Sequence, residues 1–233
     1  MRILIPVTLL ALLIISRQAN HSPIVKIEAP ANNAVLTINR GLTSGLTSGH
    51  SYQIQVTDQE DGDTRYDEIN TKEVILELAY LAAEPANSTK PTSSARAPAL
   101  DIMAANSCFN CHQFNAQSLG PSFFEIAKRY PATVANTDTL INRIRNGSSG
   151  IWGRTEKMPS HPELSATAIR STVRWIFQNA ARPGRAWYVG ATGLLHFDKP
   201  GAYSLTATYT DHGTKDQPAR RLTGSDRIIV SVR

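Results

Sequence analysis

The sequence predicts a multidomain chain, an all-α domain set between all-β segments of sandwich type. Three observations predict it. Short apolar runs, several of them alternating with period two, fill residues 20–85 and return over 184–233. Between them, residues 99–182 switch to helical spacing. A stretch rich in Pro, Ser, Thr and Ala over 86–98 has no periodicity and reads as a linker.

The elements follow in order. Ile24–Ile27, Val35–Ile38, Tyr52–Val56 and Val74–Leu78 read as strands, punctuated by Pro30, Asn32-Asn33, Gly49 and Asp61-Gly62. Leu42-Thr43-Ser44-Gly45 repeats at once as Leu46-Thr47-Ser48-Gly49, one loop duplication and not a solenoid. Leu100, Ile102 and Met103 start the helical part, and Phe123 to Ala127 gives a second short helix. Thr139 to Ile144 gives a third, opened by Asp138 or Thr139. The last is the clearest: Ser165 is a good N-cap, Ile169, Val173, Ile176 and Phe177 recur at helical spacing, and Pro183 ends the run. Ala202–Tyr209 and Arg227–Val232 are strands. The tail is thin for a core of its own, so residues 184–233 are expected to pack with 20–85.

Composition bounds the function. The chain of 233 residues is 41% hydrophobic and 18% charged, with a formal net charge of +5. That suits one large or two to three small domains and favours acidic partners. Without a Lys/Arg run, an RNA-binding signature or zinc-finger spacing, nucleic acid is not the expected partner. No nucleophile elbow or phosphate-binding loop supports catalysis. Arg2 followed by the apolar run Ile3–Ile15 reads as a signal peptide over 1–19, cut near Ala19. The run is shorter than the ~20 residues of a membrane span, so membrane attachment is expected only if this segment stays uncleaved. The expected location is the periplasm.

The chemistry concentrates in Cys108-Phe109-Asn110-Cys111-His112, which uses both cysteines of the chain. Two thiols three apart add to the two vinyl groups of a porphyrin, and the adjacent His binds its iron, so this is the attachment sequence for one covalent haem c. A thioredoxin-like dithiol lacks its βαβ context, structural zinc lacks four ligands, and a disulfide here would close almost no loop. For the second axial ligand of the iron, Met158 is the first candidate. It precedes Pro159 and follows the Gly-rich loop Gly147–Gly153, while Met103 is too near Cys108 and Met1 belongs to the signal. His161 is the rival.

Residues 99–182 resemble the short class I cytochromes c of bacteria. The likeness rests on four blocks in the family's order: Cys108–His112, then Leu119-Gly120-Pro121-Ser122-Phe123, then Ile144–Gly153 with Trp152-Gly153, then Met158-Pro159, before a closing amphipathic helix with Trp175. Arg154-Thr155-Glu156-Lys157, between Trp-Gly and Met, is one residue longer than the family leads one to expect. The resemblance implies that the Pro121 carbonyl orients His112, and that Arg143 and the Trp152 indole N–H bind a haem propionate. It also implies single-electron transfer in place of catalysis, with redox proteins as partners.

The β segments resemble immunoglobulin-like and polycystic-kidney-disease-type modules, through Val56-Thr57-Asp58-Gln59-Glu60-Asp61-Gly62, Pro200-Gly201-Ala202-Tyr203 and Tyr209-Thr210-Asp211. This order resembles the C-terminal regions of exported quinone-dependent sugar dehydrogenases. It implies a periplasmic dehydrogenase as electron donor and a cytochrome or oxidase as acceptor. The alternatives are a haem enzyme or gas sensor with a displaceable Met158, and a module whose β sandwich binds carbohydrate or protein. Asp58, Glu60, Asp61, Asp63 and Asp67 form an acidic run that could hold calcium, without EF-hand spacing.

Overall fold

The computed structural model describes residues 21–37, 49–81, 96–153 and 156–233. The expected signal peptide, the Leu-Thr-Ser-Gly duplication up to Ser48, linker residues 86–95 and Arg154-Thr155 lie outside the described residues. The chain runs through β1 (Ile24–Ala29), β2 (Val35–Leu36), β3 (His50–Asp58), β4 (Gly62–Asp63) and β5 (Ile75–Leu81). Then come α1 (Pro98–Ala105), α2 (Phe123–Arg129), α3 (Val134–Asn146) and α4 (Ala166–Trp175), followed by β6 (Arg185–Val189), β7 (Thr192–Leu195), β8 (Gly201–Thr210) and β9 (Thr223–Val232).

Both sheets draw strands from both sides of the helical region. In the four-stranded sheet β3 pairs with β1, β4 and β7, so His50–Gln53 lies against Thr192–Leu195. The five-stranded sheet has the order β2-β9-β8-β5-β6. There β5 lies antiparallel between β8 and β6, with Ile75 opposite Thr208 and Val189. The helical region therefore leaves from β5 and returns into its neighbour β6. Period-two alternation explains the shared core: Tyr52, Ile54 and Val56 of β3 turn inward while Ser51 and Gln53 face out. They meet Leu76 and Leu78 of β5, and Leu205 and Val230 of β8 and β9.

Local chemistry sets the helices. Pro98 occupies the first turn of α1, where its missing N–H costs nothing. Ser122 and Glu125 form a capping box on α2, and Ser165 caps α4 through the Ala168 N–H at 3.1 Å. α3 starts five residues before Thr139, capped by Thr133 and not by Asp138 or Thr139. Its first turn, from Val134, is exposed, so no apolar spacing marks it in the sequence. α4 continues as one π turn, Ile176–Ala180, before Pro183.

A second core joins helices to sheet. Trp187 of β6 packs edge-on to Trp175 of α4 at 5.2 Å between ring centroids, and Phe114 lies 6.2 Å from Trp187. Ile75 of β5 and Leu100 and Met103 of α1 complete it. Arg96 crosses the same seam, donating to the Glu73 carbonyl at 2.7 Å and pairing with Asp101 of α1 at 2.9 Å. Among the described residues no helix is long and apolar enough to cross a membrane.

Candidate haem-binding site

The site begins where α1 ends. Ser107 takes a left-handed backbone (φ 57°) and turns the chain into the 3₁₀ turn Cys108–Asn110. The His112 N–H closes back on the Cys108 carbonyl at 3.0 Å. This brings Cys108, Cys111 and His112 to the wall of one cavity of about 550 Å³, lined on its other sides by apolar residues such as Ile126, Leu140, Ile169 and Val173. Both cysteines are free and half-buried, and burial pushes the Cys108 thiol up to about 11.

His112 is held from several sides. Its Nδ1 lies 2.7 Å from the Pro121 carbonyl, which can only accept, so Nδ1 carries the proton and Nε2 keeps its lone pair. Phe123 stacks on the ring at 5.3 Å. Gly120 presses its backbone against the ring: a Cβ there would stand 2.6 Å from Cε1. Burial lowers the His112 pKa, partly offset by the Pro121 bond, which favours the neutral imidazole that ligates metal.

Met158 and His161 line the same cavity. Met158 is fixed through its backbone: its N–H donates to the Ser148 carbonyl at 2.9 Å, and its carbonyl accepts from Ser148 at 3.2 Å. Gly147 allows the return of the loop, with φ 76° and a position where a Cβ would meet the Met158 carbonyl at 2.7 Å. The His161 ring bonds Glu163 through Nδ1 at 2.9 Å.

Arg143 and Trp152 also line the cavity, joined by a residue that the sequence reading missed. The Arg143 guanidinium donates to the Tyr130 hydroxyl and lies over that ring at 5.1 Å. Tyr130 stands edge-on to Trp152 at 6.4 Å, and Arg129 covers the Trp152 ring at 4.5 Å. Tyr130 directly follows the basic end of α2, a position without a motif signal. An apolar slot with paired thiols, a neutral imidazole, a thioether and a cationic corner fits haem c, whose faces are apolar and whose propionates are charged.

The acidic run does not gather as expected. Asp63 turns to Thr57 at 2.6 Å and to the Arg65 N–H at 2.7 Å, and Asp67 is exposed. Strand pairing of β3 with β4 points Asp63 away from the loop that holds Asp58 and Asp61. Among the described residues, no three His, Cys, Asp or Glu side chains stand arranged to hold a metal ion.

The cavity and its donors suit covalent haem c, and likeness to bacterial cytochromes c makes the protein an electron carrier. No family model matches the chain. It is 36% identical over 72 residues to cytochrome c2 of Rubrivivax gelatinosus, which covers 30% of this chain and 85% of that protein. It is 30% identical over 101 residues to cytochrome c-552 of Nitrosomonas europaea, 43% of this chain and 96% of that one. The crystal structure of Nitrosomonas europaea cytochrome c552 aligns at 29% identity over 34% of this chain and 95% of that one, with a TM-score of 0.32. Over about a third of its length, the chain belongs to the class I cytochromes c, with β-sheet regions added.

Proposed function

We propose that the protein is a periplasmic carrier of single electrons whose haem iron is held between His112 and Met158. It would take electrons from a dehydrogenase, of the quinone-dependent sugar type, and pass them to a cytochrome or oxidase. Haem c supplies the one-electron ferric/ferrous couple. The carrying observation is the single cavity that Cys108, Cys111, His112 and Met158 all line. Pro121 fixes the imidazole by accepting the Nδ1 proton, which raises ligand basicity. The Ser148 bridge anchors Met158, and the apolar walls exclude water. Arg143 and the Trp152 N–H are assigned to a propionate, since a buried carboxylate needs donors. Export rests on Arg2 and Ile3–Ile15. In this reading residues 20–85 and 184–233 make one immunoglobulin-like sandwich, with the cytochrome domain of 99–182 inserted after the 86–98 linker.

Met158→Ala tests the assignment. The ferric spectrum is expected to turn high-spin or water-ligated and the potential to fall, because the thioether favours the reduced iron. His161 lines the same cavity, and its Nδ1 bond to Glu163 leaves Nε2 for a metal. If His161→Ala made that change and Met158→Ala did not, the iron would be bis-His.

A further inference from the structure

Two loops meet at the end of the sandwich beside α1, and each buries an aspartate. Asp58 closes β3 and is 5% exposed, while Asp211 follows β8 and is 0% exposed. Each spends its Oδ1 on two backbone N–H groups. Asp58 accepts from Glu60 at 3.0 Å and Asp61 at 2.9 Å, and Asp211 accepts from Gly213 at 3.0 Å and Leu222 at 2.7 Å. The Oδ2 of each is buried without a partner, as are both carboxylate oxygens of Glu60. Asp61 ties the loops together, accepting from the Tyr209 hydroxyl at 2.7 Å and from the His212 N–H at 3.0 Å.

The cations of this corner are engaged elsewhere. Arg221 donates its Nε to the Asp211 backbone carbonyl at 2.6 Å, leaving the carboxylate alone. Arg96 serves the Glu73 carbonyl and Asp101. The His212 ring sits between Asp61 at 3.0 Å and Glu73 at 3.1 Å. Buried carboxylate oxygens without donors cost several kcal/mol each in principle, and folded proteins leave few of them.

We propose that this corner binds a divalent cation of the calcium class, with Asp58 Oδ2 and Asp211 Oδ2 as its carboxylate ligands. Hard oxygen ligands without imidazole or thiolate select calcium over transition metals. Among the described residues no third acidic side chain joins these two, so backbone carbonyls and water complete the shell. Such a shell belongs to the weak end of calcium sites, with Kd of about 10⁻⁴–10⁻³ M, as in extracellular modules. The cation also stiffens the seam to the helical region, because His212 links Asp61 to Glu73, and Glu73 accepts from Arg96, the partner of Asp101. The inference is independent of the haem ligand set.

The test is calorimetric titration of the full haem-loaded protein with calcium chloride and, separately, magnesium chloride. Thermal unfolding is followed by far-ultraviolet circular dichroism. One calcium site is expected, together with a rise in unfolding temperature of about 3–10 °C at about 10 mM calcium. Asp58→Asn and Asp211→Asn are each expected to weaken calcium binding about tenfold or more, with the haem spectrum unchanged. No calcium heat and no thermal shift in the unaltered protein overturn the proposal, whether or not the variants fold. Equal heat from magnesium overturns the calcium class, and unchanged affinity in both variants overturns the ligands.

Discussion

The sheets and the helices of this molecule close their cores in different ways. Between the sheets, side chains fill the interior themselves: Val56, Leu76, Leu205 and Val230 are each fully shielded by one another and their neighbours. The helices stand around a cavity of about 550 Å³, and Leu140, Ile169 and Val173 form only a small cluster at its wall. A core with that much space is completed by what it binds. The sheets should therefore hold their structure without haem, and the helices should not. Trp187 of β6 and Ile75 of β5 are shared by both, since each belongs to a strand by backbone and to the helical core by side chain.

The largest effect should come from removing the attachment. In Cys108→Ala/Cys111→Ala, haem staining on a denaturing gel is expected to vanish. Without a bound porphyrin the α-helical circular dichroism should fall while the β signal persists. Helices that stayed folded without haem would erase the difference between the two regions. Next in size is the larger of the two shared residues. Trp187→Ala should cost about 3–5 kcal/mol in denaturant unfolding, because Trp175 and Phe114 lose their partner and collapse only partly. The loss should loosen both regions together. If only the helical signal shifted, the seam would be a loose contact.

Smaller still is a change confined to the haem side. Gly120→Ala puts a Cβ 2.6 Å from the His112 ring, so the ring or the 119–121 backbone must move, at about 1–3 kcal/mol. The expected signs are a shifted Soret band and a lower unfolding midpoint, with the sheet signal unchanged. An unaltered spectrum would mean that the Pro121 bond alone orients the imidazole.

The two regions also differ in how far chain order revealed them. Tyr52-Gln53-Ile54-Gln55-Val56 shows its alternation because one face is wet, and Ser165 announces α4 because a cap acts within three residues. Cys108–His112 is readable because the chemistry of attachment is contiguous. β6 and β7 escaped because they are short and follow Pro183-Gly184, where turn residues dominate. α3 began early because its first turn meets solvent. Tyr130 and Arg129 acquire meaning only beside Arg143 and Trp152, which α3 and the next loop deliver. The acidic run failed as a set because pairing of β3 with β4 separates Asp63 from Asp58. Asp211, its counterpart on the facing loop, lies some 150 residues away along the chain, bridged through Asp61 and Tyr209.

The smallest expected effect asks which region meets the redox partner. From Pro98 to Arg182 there are nine Lys or Arg against five Asp or Glu. Lys157 is exposed at the cavity mouth, while Lys128 and Arg145 are exposed on α2 and α3. Charges at such a rim contribute little to stability, but they steer encounter, which matters most for small, transient electron-transfer contacts. Their reach shrinks with the Debye length, from ~10 Å at 0.1 M to ~3 Å at 1 M salt. The second-order rate of reduction by the native partner should fall as salt rises. Lys157→Glu should lower it about threefold at low salt, leaving the haem spectrum and unfolding midpoint unchanged, and the difference should disappear at high salt. Stopped-flow reduction across an ionic-strength series measures both. A rate flat in salt and indifferent to Lys157→Glu would move docking from the helical region to the sheets, leaving the rim charges as a solvated surface.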